Sequence, residues 1–161
     1  MLPFFGPEIT PRLETEEAVY VGWPEGSTSS GQGRDPAAVV RAVLEGQFIN
    51  MKARSHWLGV APETIYLTGG ASQNDGIAQT VANVFGVPVS RLTVSGSAAL
   101  GAAMRAAHEA CGVELSSLEA AFCQPEPGST LEPEAGSAQI YDELEQKWVS
   151  ALHESFSLPK H

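Results

Sequence analysis

Between residues 64 and 111 the chain reads strand, glycine turn, helix, strand, turn, helix, and this order leaves few folds open. Thr64-Ile65-Tyr66-Leu67-Thr68 has the β-branched and aromatic content of a short strand, and Gly69-Gly70-Ala71 makes a tight turn after it. Ser72 is the expected N-cap of a helix with Ile77, Val81, Val84 and Phe85 on one face, and Gly86 is its expected stop. A second strand starts at Val87-Pro88-Val89 and runs through Arg91-Leu92-Thr93-Val94. Ser95-Gly96-Ser97 then turns into a helix of small residues from Ala98 to about Cys111. Strands separated by helices of this length pair in parallel, with a right-handed crossover. The expected class is therefore α/β, with about three strands and helices on both faces of the sheet.

The rest of the chain is less regular. Glu17 to Trp23 reads as a short strand, and the glycines and prolines from Gly22 to Pro36 read as a loop. Asp35-Pro36 is an N-cap followed by an N1 proline, opening a helix with Val40, Val43, Leu44, Gln47, Phe48 and Met51 down to about Leu58. Gly46 interrupts this helix at a cost of about 1 kcal/mol against alanine, so something is expected to pack close there. Residues 112–136 are rich in Pro, Gly and Glu and read as a connection. A last helix starts near Ser137 and carries Tyr141, Leu144, Trp148, Leu152 and Phe156 as an apolar stripe.

Composition narrows the function. A hydrophobic share of 43% suffices for a core and argues against disorder. Against 19 acidic residues stand 9 Lys plus Arg, a net charge of −10, which is the wrong sign for tracking a nucleic-acid backbone or an anionic membrane. No apolar run reaches the roughly 18 residues of a spanning helix, and the start lacks the features of a signal peptide. Cys111 and Cys123 make neither a disulfide framework nor a Cys-x-x-Cys pair, which points to a reducing, cytoplasmic setting. The four histidines, His56, His108, His153 and His161, lack metal-ligand spacing, so no metal site is expected.

Three motifs bear on chemistry. The loop from Gly22 to Gly33 lacks both the phosphate-loop pattern and the third glycine of a dinucleotide fingerprint, and reads as a surface connection. Gly70-Ala71-Ser72-Gln73-Asn74 sits where a hydrolase nucleophile elbow would, but its fifth residue is Asn rather than Gly. Thr68-Gly69-Gly70-Ala71 suits a nucleotide. Two glycines at the carboxyl end of a parallel strand let a flat ring approach bare backbone, the next helix offers N–H groups, and Asn74 can reach a purine or ribose edge. A plain tight turn and simple capping by Ser72 are the alternatives. The small-residue run Ala98 to Ala103 fits either close helix packing or a backbone behind a nucleotide pocket.

Five ordered blocks, taken together, resemble the C-terminal part of the FGGY family of carbohydrate kinases. They are Phe5-Gly6-Pro7-Glu8-Ile9-Thr10-Pro11, Glu45-Gly46-Gln47-Phe48, Thr68 to Asn74, Val84-Phe85-Gly86-Val87-Pro88-Val89, and Ser97-Ala98-Ala99-Leu100-Gly101-Ala102-Ala103. The Tyr141 helix fits as well, so the resemblance covers nearly the whole chain. It implies part of the C-terminal lobe of an actin-like, ribonuclease-H-like ATPase fold. Residues 1–111 would belong to the lobe, 112–136 would be the connection, and 137–161 a helix packing on the lobe. It implies ATP or ADP as the nucleotide, with Mg²⁺ in the full-length enzyme, bound through Gly69, Gly70, Ala71 and Asn74, with Ser72 and Gly101 near the pocket. Partners would be the N-terminal lobe of the same enzyme and a sugar, with self-association left open. Within the family the resemblance is to the members that convert D-xylulose to D-xylulose 5-phosphate; ribulose, glycerol and gluconate are the neighbouring substrates. The family's catalytic aspartate lies upstream of every matched block. The chain alone is therefore expected to be inactive, with a sheet edge needing cover. A hydrolase using Ser72, and a non-catalytic module docking through the Trp148 helix, are the rival readings.

Overall fold

Asp35 accepts a hydrogen bond from the Ala37 N–H at 3.1 Å and Pro36 fills the first helical position, so helix α1 (Pro36–Ser55) starts where its cap dictates. A 3₁₀ turn, His56–Leu58, finishes it, closed by Gly59 at φ 68°. These elements belong to a computed structural model that describes residues 1–15, 18–21, 35–94 and 96–156. The whole glycine-rich loop from Gly22 to Gly33 and both ends of the expected Glu17–Trp23 strand lie outside the described residues. Within them, Val19 bridges Leu2 in antiparallel fashion. The chain divides into two compact units, residues 1–61 with 136–161 and residues 62–135.

In the first unit, a two-stranded antiparallel hairpin, β1 (Glu8–Ile9) and β2 (Arg12–Leu13), precedes α1. The C-terminal helix, Ser137–Phe156, packs along α1. Its apolar stripe is consumed there. Tyr141, Trp148 and Leu152 are buried, and Phe4 meets the rings of Trp148 and Phe156 edge-on at 6.0 and 6.1 Å. The Trp148 face is thus part of this unit's own core and not a docking surface. Gly46 is buried on α1, and a Cβ there would stand 2.8 Å from the Met1 carbonyl oxygen and 2.9 Å from Pro3 Cδ. That is the close approach its helix-breaking cost implies. Trp148 Nε1 donates to the same Met1 carbonyl at 3.0 Å.

Polar ties complete the helix pair. Tyr141 donates its hydroxyl to Glu45 Oε1 at 2.7 Å, and Arg41 Nε donates to the same oxygen at 2.7 Å. Lys52 reaches Asp142 at 2.6 Å, and His56 meets Glu145 at 2.6 Å. Burial, helped by the neighbouring Glu45 carboxylate, pushes the Tyr141 phenol up from its ordinary 10.0 to about 12. A raised folded-state value means that the neutral phenol is favoured in the native protein. Its contribution is whole below pH 10.0 and is lost as the pH climbs toward about 12. An absorbance difference titration between the native chain and Tyr141→Phe should show this phenol ionising near 12, and Tyr141→Phe should lack that alkaline loss of stability. A midpoint at 10.0 would contradict the buried pairing.

In the second unit, β3 (Ile65–Leu67) pairs in parallel with β4 (Val89–Arg91), in the register Ile65 with Val89 and Leu67 with Arg91. Helix α2 (Asp75–Phe85) makes the crossover and buries Ala78, Val81, Ala82 and Val84. Gly86 ends it at φ 69°, its N–H donating to the Ala82 carbonyl at 2.8 Å. Helix α3 (Ser97–Cys111) follows, burying only Met104. The α/β class holds, but among the described residues the parallel sheet has two strands rather than about three. The 112–136 stretch, expected as a connection, contains helix α4 (Leu115–Phe122) and then runs beside β4. Val89 and Leu131 exchange two backbone hydrogen bonds at 3.0 and 2.8 Å, and Thr93 N–H donates to the Gln124 carbonyl at 3.1 Å. This stretch belongs to the second unit, whereas the C-terminal helix, α5 (Ser137–Phe156), belongs to the first. The two units meet along the chain at residues 61/62 and 135/136. No helix among the described residues is long and apolar enough to cross a membrane.

Candidate functional site

β3 delivers the chain to Gly69, whose φ of 85° and ψ of 178° lie in a region that only glycine occupies freely. Residues Gly70–Gln73 then close one 3₁₀ turn. The turn is held from within: Ser72 N–H and Ser72 Oγ both donate to the Gly69 carbonyl, at 3.2 and 2.6 Å. Among the described residues, beyond its chain neighbours, a Cβ built on either Gly69 or Gly70 meets nothing within 4 Å. The turn therefore presents a strip of bare backbone to open space, which is what a flat ring requires in order to lie against it. Gly70 also has an ordinary φ, so a side chain there costs the fold little.

Ser72 is not the N-cap. The turn delays the helix by two residues, and Asn74 caps α2 instead, its Oδ1 accepting from the Ile77 N–H at 3.1 Å. Asn74 is exposed, with its amide nitrogen left to serve a ligand. Ser72 is only 4% exposed and its hydroxyl is committed to Gly69, so it is a structural residue rather than a nucleophile. His108 turns its Nδ1 to the Val113 carbonyl at 2.8 Å. Ala71 is exposed beside the glycines. Gly101 lies exposed on α3, and among the described residues no neighbouring element comes within 4 Å of where its Cβ would be. The close helix packing that its small neighbours suggested is not made at that position.

The helix end is less inviting to an anion than the sequence suggested. Asp75 occupies the first turn of α2, already answering the positive end of the dipole, and Asn74 takes one of its free N–H groups. An uncharged ring and sugar suit the turn better than a phosphate does. Among the described residues no group of three His, Cys, Asp or Glu is placed to hold a metal ion.

One residue of the site was not singled out from sequence. Arg91, at the carboxyl end of β4, donates from Nε to the Ser72 carbonyl at 2.6 Å, and a second guanidinium nitrogen pairs with the Asp75 carboxylate. Its side chain is 14% exposed. The only hint in the sequence is a charged residue closing an otherwise buried strand.

Comparison with known proteins places these features in context. Residues 10–110 match the model of the C-terminal domain of the FGGY family of carbohydrate kinases. The chain is 39% identical to the xylulose kinase of Mus musculus over 119 residues, which is 71% of this chain and 21% of that protein. It is 43% identical to xylulose kinase 2 of Arabidopsis thaliana over 76 residues, covering 46% of this chain and 14% of that one. Among solved structures, a ligand-bound xylulose kinase from Lactobacillus acidophilus superposes with a TM-score of 0.73 at 27% identity, over 96% of this chain and 30% of that one. Plasmodium falciparum glycerol kinase with ADP gives 0.68 at 17% identity, over 99% of this chain and 31% of that one, a likeness of fold. The chain thus spans about a fifth of the mouse relative and under a third of these structures.

Proposed function

Since the chain belongs to the FGGY family of carbohydrate kinases, as a C-terminal domain of actin-like ATPase fold, we propose that it supplies the nucleotide-holding share of an ATP-dependent sugar kinase. The observation that carries this is the open Gly69–Gly70 strip at the carboxyl end of a parallel strand, the place where open α/β sheets take ligands. Adenine lies against the bare backbone of Gly69, Gly70 and Ala71, and the Asn74 amide reaches the ring or ribose. Beside the Asp75 carboxylate the phosphates would be disfavoured, so they would be held with Mg²⁺ by the N-terminal lobe that would complete the cleft. Transfer to the sugar is the work of both lobes together, because it needs nucleophile, phosphates and metal held in one geometry. This chain contributes no catalytic base to it and is inactive alone. The sugar is D-xylulose, converted to D-xylulose 5-phosphate, a reading supported by relatives named as xylulose kinases at 39% and 43% identity.

The test uses calorimetry of ADP with this chain and with Gly70→Val. The branched side chain fills the space that a ring must occupy, and among the described residues nothing beyond its chain neighbours stands within 4 Å of its Cβ. Gly70→Val should fold normally and bind ADP about tenfold more weakly or worse, the scale of one lost ring contact. Equal binding by both would place the nucleotide elsewhere. In the two-lobed enzyme, D-xylulose should be phosphorylated in preference to ribulose, glycerol or gluconate; the opposite order would overturn the sugar assignment.

A further inference from the structure

The Gly69–Gln73 turn is one 3₁₀ turn set between a three-residue strand and a helix, and the two Ser72 bonds to the Gly69 carbonyl close it at its start. Its last part is fixed from outside by the Arg91 side chain. Arg91 Nε takes the carbonyl of Ser72, while the other end of the same planar guanidinium grips Asp75, the first residue of α2. The two contacts straddle Asn74, where the backbone leaves the turn and enters the helix. A rigid fork spanning that junction sets the angle between turn and helix. It also pairs the carboxylate that opens α2, directly after Asn74. Arg91 is itself held at both backbone groups: its N–H donates to Ser129 Oγ at 3.0 Å, and its carbonyl accepts from the Glu126 N–H at 2.8 Å. Ser129 Oγ is locked in turn by donating to the Glu126 carbonyl at 2.8 Å. The 126–129 turn therefore aims the strand residue whose side chain aims the glycine turn.

We propose that Arg91 is the positioning residue of the nucleotide site, holding the Gly69–Asn74 strip in the shape that accepts a ring. This rests on the reading of that strip as the nucleotide cradle. Two measurements separate the two ideas: ADP calorimetry, and amide hydrogen exchange across residues 69–76, with residues 80–85 of α2 as the internal reference. Arg91→Met keeps the length and loses the fork. It should weaken ADP about tenfold and speed exchange across 69–76 by a similar factor, with 80–85 unchanged. Arg91→Lys keeps a charge but cannot span both partners, and should recover little of either effect. Should Arg91→Met fold poorly, Ser129→Ala releases the Arg91 N–H and the Ser129–Glu126 bond while the Arg91 carbonyl stays held by Glu126, and it should move both readouts the same way, by a smaller factor. Unchanged exchange at 69–76 overturns the positioning role, and so does faster exchange with unchanged ADP affinity. If the native chain binds no ADP while Arg91→Met still frees the turn, the nucleotide reading falls and the nucleotide role of Arg91 falls with it. The fork would then only brace a turn.

Discussion

Gly46→Leu is expected to cost the first unit about 3 kcal/mol or more, the upper range for overpacking a tight interior. The site is closed from two directions, by the Met1 carbonyl at 2.8 Å and Pro3 Cδ at 2.9 Å from any Cβ, and the nearer neighbour is backbone that cannot simply rotate away. Moving Met1 has a second consequence, because its carbonyl accepts the Trp148 indole N–H at 3.0 Å and Trp148 is buried. A side chain at 46 therefore strains the N-terminal segment and leaves a buried donor unpaired. Gly46→Ala sets two effects of opposite sign against each other. The helix gains about 1 kcal/mol from alanine, and the clash removes about 1 to 3. The clash should win, so Gly46→Ala should also unfold at lower urea. Denaturation followed by helical circular dichroism would measure both. An alanine variant as stable as the native chain would show that the N-terminal segment yields freely and that the close approach is not a constraint.

That glycine shows what kind of information the sequence carries. Its cost inside an otherwise regular helix signals a close neighbour, but nothing local says that Met1 and Pro3 are that neighbour, since they lie more than forty residues away. The same division runs through the fold. Asp35-Pro36 marks the start of α1 because capping is a local hydrogen bond, and Gly86 marks the end of α2 because a left-handed backbone is a local need. The start of α2 was misplaced by two residues for a related reason. Ser72 and Asn74 are both good caps, and the choice falls to Asn74 only because Ser72 turns back to the Gly69 carbonyl. The candidate turn itself was legible less from its two glycines, which many α/β turns carry, than from its place in a strand–turn–helix order among five ordered blocks. Arg91 was not, because its role consists of contacts 16 and 19 residues away. The least legible part was 112–136. Its prolines and glutamates suit a surface connection in composition, and only the pairing with β4 and α2 turns it into structure.

Asn83→Ala should test that last point, with an expected loss of about 2 to 3 kcal/mol from a buried amide that makes several hydrogen bonds. Asn83 is 7% exposed on α2. Its Oδ1 accepts from the Glu134 N–H at 2.8 Å and from Gln79 Nε2 at 3.0 Å, and its Nδ2 donates to Glu134 Oε2 at 3.0 Å. Gln79 adds a bond to the Glu132 carbonyl at 2.9 Å. Truncating Asn83 removes the group that both ends of this cluster use and leaves a small cavity beside Val84, which is itself wholly buried. Glu134→Ala is the control. It deletes only the carboxylate bond of an exposed residue and should cost less than about 1 kcal/mol. Urea melts of the two variants, with hydrogen exchange read over residues 124–135, distinguish a fastened edge from a loose tether. A fastened edge gives a large loss for Asn83→Ala and faster exchange along the whole stretch up to Glu126, whose N–H anchors the Arg91 carbonyl. A loss within about 0.5 kcal/mol of zero, the range of an ordinary surface change, would mean that the stretch is no more than a connection. The shape of the glycine turn would then have to be set without it.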